Sequence, residues 1–485
     1  MFRFDTERFS SSCFDDVGTS HARQLFSVLL LQVLAGRVCT QRLQARAPQR
    51  LCSTVVGSTK QSLTSTSAKA QRDTRLVGWW LTGTAGSVAV MICLGGYTRL
   101  TRSGLSMVDW RPQGRALPSS QAEWEAEFDK YKAFPEFQKV NRNIDLEEFK
   151  NIYFVEWFHR MWGRGIGLIF LVPAAYFAAR GMIPARVRGK VAAAGTLGAV
   201  QGGVGWWMVK SGLTTNDKDE RAKNSVPRVS PYRLATHLGV AFTTYSILTW
   251  AAMDLLSKPA AALSASNTRA VRALKPFALA ATAVAGVTAA SGAFVAGNDA
   301  GRAYNDWPLM AGKFIPEEIW DEKLGMKNVF ENTATVQFDH RMLAYSTLAT
   351  VGALTLAARR PSMWSSLPGR ARSAVNAMGV TVLGQVGLGI TTLMMYVPIG
   401  LGTAHQGGAL LLWTTALWLM HGLRRHATNT GAAKVSSATA AAARAAAGVP
   451  LLLAAPAAAS AAAQTPASHT ESKRGETHRH AICQQ

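Results

Sequence analysis

Four histidines carry the first chemical signal in this sequence: His159, His237, His340 and His405. Each lies a few residues inside a stretch of mostly apolar residues. A lone histidine in such a place is usually a core residue with a satisfied ring. Four at matched depth and matched repeat position need another reason, because an ionisable group inside an apolar segment is costly to keep. Two imidazoles facing each other across a helical bundle are a standard way to hold a haem iron. Depth and repeat position therefore point to two bis-histidine haem sites, His159 with His237 and His340 with His405. Zinc fits poorly, since no nearby carboxylate or thiol completes a tetrahedral ligand set. The other six histidines do not join them. His21, His426, His469, His478 and His480 lie in the tails, and His421 has no partner histidine at its end of a helix.

Glu156 precedes His159 by three residues, which puts both on one helix face. The residue at the same place before His340 is Gln337, similar in shape but uncharged. Two readings stand. Glu156 reaches outer water or pairs with Arg160, or it gives one pocket a carboxylate that takes a proton or stabilises a developing cation. On the second reading the N-terminal pocket performs chemistry and the C-terminal pocket keeps a permanent cofactor. Arg99, Arg102, Arg160, Arg164 and Arg341 are candidates to pair haem propionates, because guanidinium meets a carboxylate with two parallel bonds. Each serves equally well as an interfacial anchor. Trp79, Trp80, Trp206, Trp207 and Trp307 fall near helix ends, where an aromatic belt is a sufficient explanation.

The elements that must position these residues follow from hydropathy. The chain of 485 residues is 48% hydrophobic and 17% charged, yet its formal net charge is +23. A nucleic-acid binder of that charge would be rich in charged residues, so no nucleic-acid partner is expected. Apolar blocks such as 274–296 and 372–395 are long enough to cross a bilayer, so lipid is the expected surrounding. Eight spans are expected, near 76–97, 152–178, 189–209, 232–256, 275–296, 336–358, 373–395 and 401–422. The fold class is an all-α membrane protein.

The eight spans repeat as four and four. Glu156-Trp-Phe-His159-Arg160-Met161 matches Gln337-Phe-Asp-His340-Arg341-Met342. Gln201-Gly-Gly-Val-Gly205 matches Gln385-Val-Gly-Leu-Gly389, and Ala235-Thr-His237 matches Thr403-Ala-His405. The expected architecture is two pseudo-symmetric four-helix bundles, 73–258 and 259–424, related by an axis along the membrane normal. The connections 179–188, 257–274 and 359–372 hold bases and no acid, while 98–151, 210–231 and 297–335 are long and mixed. The positive-inside rule puts both termini and the short basic loops on one side. All four histidines then lie toward the other.

The tails are of a different kind. Val17 to Arg72 contains no Asp or Glu and is rich in Ser, Thr and Arg, the composition of a mitochondrial transit peptide, so 1–72 is read as targeting or disordered sequence. Against this stand the early acids Asp5, Glu7, Asp15 and Asp16, and the apolar run Leu25–Ala35, which resembles a signal-peptide core. Residues 425–485 form an Ala-rich, low-complexity tail read as disordered. The five cysteines form no CxxC and no CxxCH, so neither a zinc ribbon nor covalently attached haem is indicated.

With these residues in view the chain resembles the haem A synthase family. The carrying motifs are Gly95-Gly-Tyr-Thr-Arg-Leu-Thr-Arg-Ser-Gly-Leu-Ser-Met-Val-Asp-Trp110 and Glu148-Phe-Lys-Asn-Ile-Tyr-Phe-Val-Glu156-Trp-Phe-His159-Arg-Met-Trp-Gly-Arg164. Gly205-Trp-Trp-Met-Val-Lys-Ser-Gly-Leu213, Ala296-Gly-Asn-Asp-Ala-Gly-Arg-Ala-Tyr-Asn-Asp-Trp-Pro-Leu-Met310 and Gly402-Thr-Ala-His405-Gln-Gly-Gly complete them. The resemblance covers about 76–424. It implies oxidation of the C8 methyl of haem O to a formyl group, giving haem A for cytochrome c oxidase. It implies haem b as resident cofactor on His340 and His405, substrate haem on His159 and His237, and Glu156 as the catalytic residue. It further implies the inner mitochondrial membrane, with both termini in the matrix and the histidines toward the intermembrane space. A ferredoxin-type electron donor and a haem O synthase upstream are the implied partners, and a homo-oligomer is compatible with the resemblance. Some bacterial members carry a cysteine pair in an outer loop. Loops 98–151 and 297–335 contain no cysteine, which matches the subgroup without the pair. An electron-carrying dihaem cytochrome b is the alternative. It needs haems near opposite faces, which four histidines on one side do not provide. A transporter, suggested by the repeat, leaves those histidines unexplained.

Overall fold

A computed structural model describes residues 55–213, 227–257 and 264–424. Most of the expected targeting segment and the whole Ala-rich tail lie outside the described residues. Backbone contacts divide the chain into Met1–Lys69 and Ala70–Gln485, and the functional residues all belong to the second unit.

The described residues are helical, with one isolated β-bridge between Met310 and Lys313. Eight long helices cover the eight expected spans: α1 Val55–Leu100, α4 Leu146–Ala179, α5 Ala185–Leu213, α6 Pro231–Leu256, α7 Ala265–Gly297, α9 Thr333–Arg359, α11 Gly369–Met394 and α12 Ile399–Gly422. Of these, α1, α4, α7 and α11 are long and apolar enough to cross a membrane by length and composition. Helix α1 starts upstream of the expected boundary at residue 73. Four short helices complete the set: α2 Gln121–Lys132, α3 Pro135–Lys139, α8 Asn328–Glu331 and α10 Pro361–Ser366.

The two histidine-bearing helices that open each half are fixed at their starts by local sequence. Asp145 accepts from the Glu148 amide while the Glu148 side chain accepts from the Asp145 amide, a capping box that begins α4. Asn332 accepts from the amides of Ala334 and Thr335 and begins α9. Inside the helices, threonines return their hydroxyls to the carbonyl four residues back, as Thr98 does to Leu94 and Thr282 to Ala278. That satisfies a polar group where no water is at hand.

In the N-terminal half α5 packs on α4 and α6; in the C-terminal half α7 packs on α9 and α11 on α12. Helix α6 meets α7, and α12 meets both. One apolar core joins Leu274, Leu354, Met378 and Leu419 of the C-terminal half. A second joins Val77, Leu81, Val187 and Leu248 of the N-terminal half with Leu410 of α12. The opposite helix faces expose aliphatic chains, among them Leu168, Val172, Leu356 and Val380, as hydrocarbon contact requires.

The first long outer connection is more ordered than its mixed composition suggests. Met107, Phe128, Tyr131, Phe149 and Tyr153 form a buried aromatic core of their own. Phe149 stacks on Phe128 and on Tyr131, at 4.9 Å and 5.3 Å between ring centres. The aromatic rings supply enough apolar area to hold α2 and α3 against the start of α4.

Candidate functional site

The four histidines share one local construction. Each ring sits edge-on against a glycine of another helix. A side-chain carbon added at Gly95 of α1 would lie 3.3 Å from Cε1 of His159 on α4. At Gly205 of α5 it would lie 3.0 Å from Cε1 of His237 on α6. The C-terminal half repeats both: 3.3 Å at Gly292 of α7 from His340 on α9, and 2.8 Å at Gly389 of α11 from His405 on α12. Each glycine is there because the imidazole occupies the space a side chain would need. His159 and His237 are close enough to act on each other electrostatically, and so are His340 and His405.

Two glutamines hold two of the rings. Gln201 Nε2 donates to the carbonyl of His237 at 3.1 Å, and Gln385 Nε2 to the carbonyl of His405 at 2.9 Å. In each case the same nitrogen also lies beside a ring nitrogen, Nε2 of His237 at 3.4 Å and Nδ1 of His405 at 3.1 Å. These residues fit haem groups. Four half-buried imidazoles, two in each half, each lie against a glycine where an added side-chain carbon would come within 2.8–3.3 Å of the ring. The Nδ1 atoms of His159 and His237 are buried with no hydrogen-bond partner among the described residues.

Glu156 is almost wholly buried, and both of its oxygens are taken. Oε2 accepts from Ser106 Oγ at 2.8 Å and from the Met107 amide at 2.6 Å. Oε1 accepts from Arg160 Nε at 3.0 Å and from its terminal nitrogen at 2.5 Å. A buried carboxylate is tolerable only with such partners. The pairing with Arg160 is therefore real, and it extends to the loop above. Arg160 goes on to donate to the carbonyls of Met107 and Asp109.

The C-terminal half contains the same clamp. Arg341 donates to Gln337 Oε1 at 2.9 Å and to the carbonyls of Tyr304 and Asp306. Met107 and Tyr304 stand at the same offset from Gly95 and Gly292, as do Asp109 and Asp306. The sense of the remaining bonds is reversed. Glu156 accepts from the loop, whereas Gln337 Nε2 donates to the carbonyls of Ala300 and Tyr304 at 2.6 Å and 3.2 Å.

The arginines divide accordingly. Arg160 and Arg341 belong to the clamps, and Arg164 donates to the carbonyls of Pro112, Arg160 and Arg111. Arg99 forms a 2.9 Å ion pair with Asp299, and Arg102 approaches the same carboxylate at 4.0 Å. Arg102 and Asp299 both adopt left-handed backbone, seven residues after Gly95 and Gly292. Two helix ends related by the repeat thus meet in a salt bridge between the halves. His421, isolated in sequence, is buried against Asp254 at 3.1 Å, which also pairs with Lys190 at 3.1 Å and with Arg424.

Sequence reasoning missed the glycine cradles, the shared loop carbonyls and Ser291, which contacts Nδ1 of His340 at 2.7 Å. The repeated Asp-Trp of Asp109-Trp110 and Asp306-Trp307 was a signal for the second.

Residues 78–417 match the model of the COX15-CtaA family, described as cytochrome oxidase assembly protein. The "Heme A synthase COX15" of Arabidopsis thaliana is 48% identical over 349 residues, covering 72% of this chain and 75% of that one. The protein of the same name from Homo sapiens is 45% identical over 352 residues, covering 72% and 83%. The "Heme A synthase" of Rhodospirillum centenum is 46% identical over 351 residues, covering 72% and 89%. The match takes in both clamps and all four histidines, and the chain belongs to the COX15-CtaA family of cytochrome oxidase assembly proteins.

Proposed function

We propose that the two halves divide the work of a haem A synthase. The activity is haem A synthesis, and the chain is a multi-pass membrane enzyme with haem O as substrate. The reading assigns His159 and His237 to the substrate haem, and His340 and His405 to a resident haem b. The observation that carries this division is the clamp built twice, once with a carboxylate and once with an amide.

Glu156 works as a fixed negative charge. Each of its oxygens already accepts two hydrogen bonds, so it is oriented before substrate arrives. Such a preorganised group would stabilise positive charge developing on a haem held by His159 and His237 as its methyl group is oxidised, at no cost of reorientation. When bound, the resident haem supplies one-electron redox chemistry. The protein's part would be to hold it on His340 and His405, with Arg99 and Arg102, both beside the Asp299 carboxylate, as candidate partners of a propionate. The eukaryotic relatives, the apolar helices and the acid-free stretch from Val17 to Arg72 support the inner mitochondrial membrane, and the basic loops assign the histidines to the intermembrane-space side. The basic loops then face a ferredoxin-type donor in the matrix, and haem O synthase supplies the substrate.

The test is expression of the full chain with and without a haem O synthase, followed by extraction and separation of haems. Haem A appearing only with both proteins supports the reading. A folded, haem-loaded protein that yields no haem A in the presence of haem O overturns it. Spectra that show two haems reduced together without any haem A would favour an electron carrier instead.

A further inference from the structure

Ser291 immediately precedes Gly292, the glycine that seats His340. Its hydroxyl lies 2.8 Å from the carbonyl of Thr288, in position to donate to it. When the hydroxyl donates to that carbonyl, the ring nitrogen is the donor in the 2.7 Å contact between Ser291 Oγ and His340 Nδ1, because a serine hydroxyl has one proton only. His340 is thereby fixed with its proton on Nδ1 and its Nε2 lone pair free for a metal. A hydrogen bond of this kind on the distal nitrogen orients a ligand ring and raises its basicity.

The N-terminal half has the same frame without the hydroxyl. Gly95 stands to His159 as Gly292 stands to His340, with 3.3 Å to Cε1 in both, and 4.0 Å against 3.9 Å to Nδ1. The residue before Gly95 is Leu94, which has no polar atom to offer. His159 Nδ1 is buried without a partner among the described residues. His405 repeats the contrast with His237, since Nδ1 of the first touches Gln385 and Nδ1 of the second has no such partner.

We propose that Ser291 is a positioning residue that fixes His340 as a retained haem ligand, and that Leu94 at the matching place leaves His159 unfixed so that its haem exchanges. This rests on the assignment of the histidines to haem iron made above. A substrate must leave at each turnover and a cofactor must not, and one hydroxyl at one repeat position distinguishes the two.

The experiment uses the purified full chain in detergent, loaded with haem b as probe. It follows transfer of haem to excess apomyoglobin and the midpoint potential of the slowly transferred haem. In Ser291→Ala the slow phase should accelerate by about tenfold or more, the range seen when such outer partners are removed. The potential should rise, because a less basic ligand favours the oxidised iron less. Ser291→Thr should restore both. Leu94→Ser provides an independent arm in which the fast phase slows, and it serves should Ser291→Ala fail to fold. Wild-type kinetics and potential in Ser291→Ala, or Ser291→Thr behaving as Ser291→Ala, overturns the proposal. Failure of the underlying assignment looks different: the wild-type protein would then show no low-spin haem, or His340→Ala would keep it.

Discussion

The N-terminal and C-terminal halves were built to one plan and depart from it at a few atoms. Both seat two imidazoles on glycines, and both fold an arginine back onto the residue four before it. Both use that arginine to hold the carbonyls at the start of an outer loop. What differs is charge. Arg160 meets a carboxylate at Glu156, so the N-terminal clamp is an ion pair. Arg341 meets only the neutral Gln337 and carbonyl oxygens, so the C-terminal clamp keeps its positive charge. The connections differ too: the connection 98–151 carries a buried aromatic core with Phe128, Tyr131 and Phe149. A duplicated scaffold can therefore change its chemistry by single atoms while its backbone stays the same.

The largest effects should come from the ligands themselves. His340→Ala should lose the resident haem, seen as a halved pyridine haemochrome signal. His159→Ala should keep that haem and make no haem A. If the two variants behave alike, the division between halves is wrong.

Next comes the clamp. In Glu156→Gln an amide must serve two sets of donors, and its NH₂ group is left facing one of them. An unsatisfied buried group costs about 1–3 kcal/mol. Haem A production should fall strongly while the haem b spectrum survives. Gln337→Glu sets a carboxylate against the carbonyls of Ala300 and Tyr304 and should be destabilising by a similar amount. Wild-type haem A yield in Glu156→Gln would remove that residue from the reaction. The two swaps combined should not rescue each other, because each loop presents groups of the opposite kind.

Glycine substitutions grade the cradles. Gly389→Ala and Gly205→Ala bring a carbon to 2.8 Å and 3.0 Å from the ring, closer than Gly292→Ala and Gly95→Ala at 3.3 Å. Overpacking of this kind costs about 1–3 kcal/mol. The first pair should broaden or shift the low-spin haem signals more than the second, as read by electron paramagnetic resonance. The reverse order would mean that the rings move freely.

The aromatic outer loop makes a pH prediction. Burial, with the charge of Glu156 second, pushes the Glu136 carboxyl up to about 8. An unfolded glutamate titrates near 4.3. Between these values the folded loop holds a proton that the unfolded chain releases. Stability of the loop therefore falls as pH rises through that window, and the linkage has the sign opposite to an ion-paired acid. Amide protection relative to the intrinsic, base-catalysed exchange rate should fall in residues 121–153 between pH 5 and 8. Glu136→Gln should flatten the dependence, and an unchanged slope in that variant would assign it to another group.

The smallest effect belongs to Arg99 and Asp299. A half-exposed pair is worth about 0.2–1 kcal/mol. A double-mutant cycle on thermal unfolding should find coupling in that range. A larger value would show that the halves depend on this bridge for assembly.

Much of this was open to reading from sequence. The four histidines announced themselves by being ionisable in apolar surroundings. The repeat was visible because Gln201 and Gln385 kept their type along with the histidines. Long helices cover all eight expected spans, since a run of apolar residues specifies its own length. The cradles were illegible for a physical reason. Gly95, Gly205, Gly292 and Gly389 act by what they lack, and a missing side chain gives no signal until its neighbour is known. Ser291 escaped because its repeat partner Leu94 differs in kind, so matching the halves hid it. The aromatic core of the outer loop could have been inferred from Phe128, Tyr131, Phe149 and Tyr153, with Ser120 and Asp145 as helix starts. It was passed over because acids and bases dominate the segment's composition.

The cradles also have a genetic consequence. Every coding change at Gly95, Gly205, Gly292 or Gly389 adds atoms to a place already filled by a ring. No conservative replacement exists for these codons, since glycine is the lower limit of size. Missense changes there should therefore disturb the seats of the ligand histidines, more at Gly389 and Gly205 than at Gly95 and Gly292, although the glycines carry no charge.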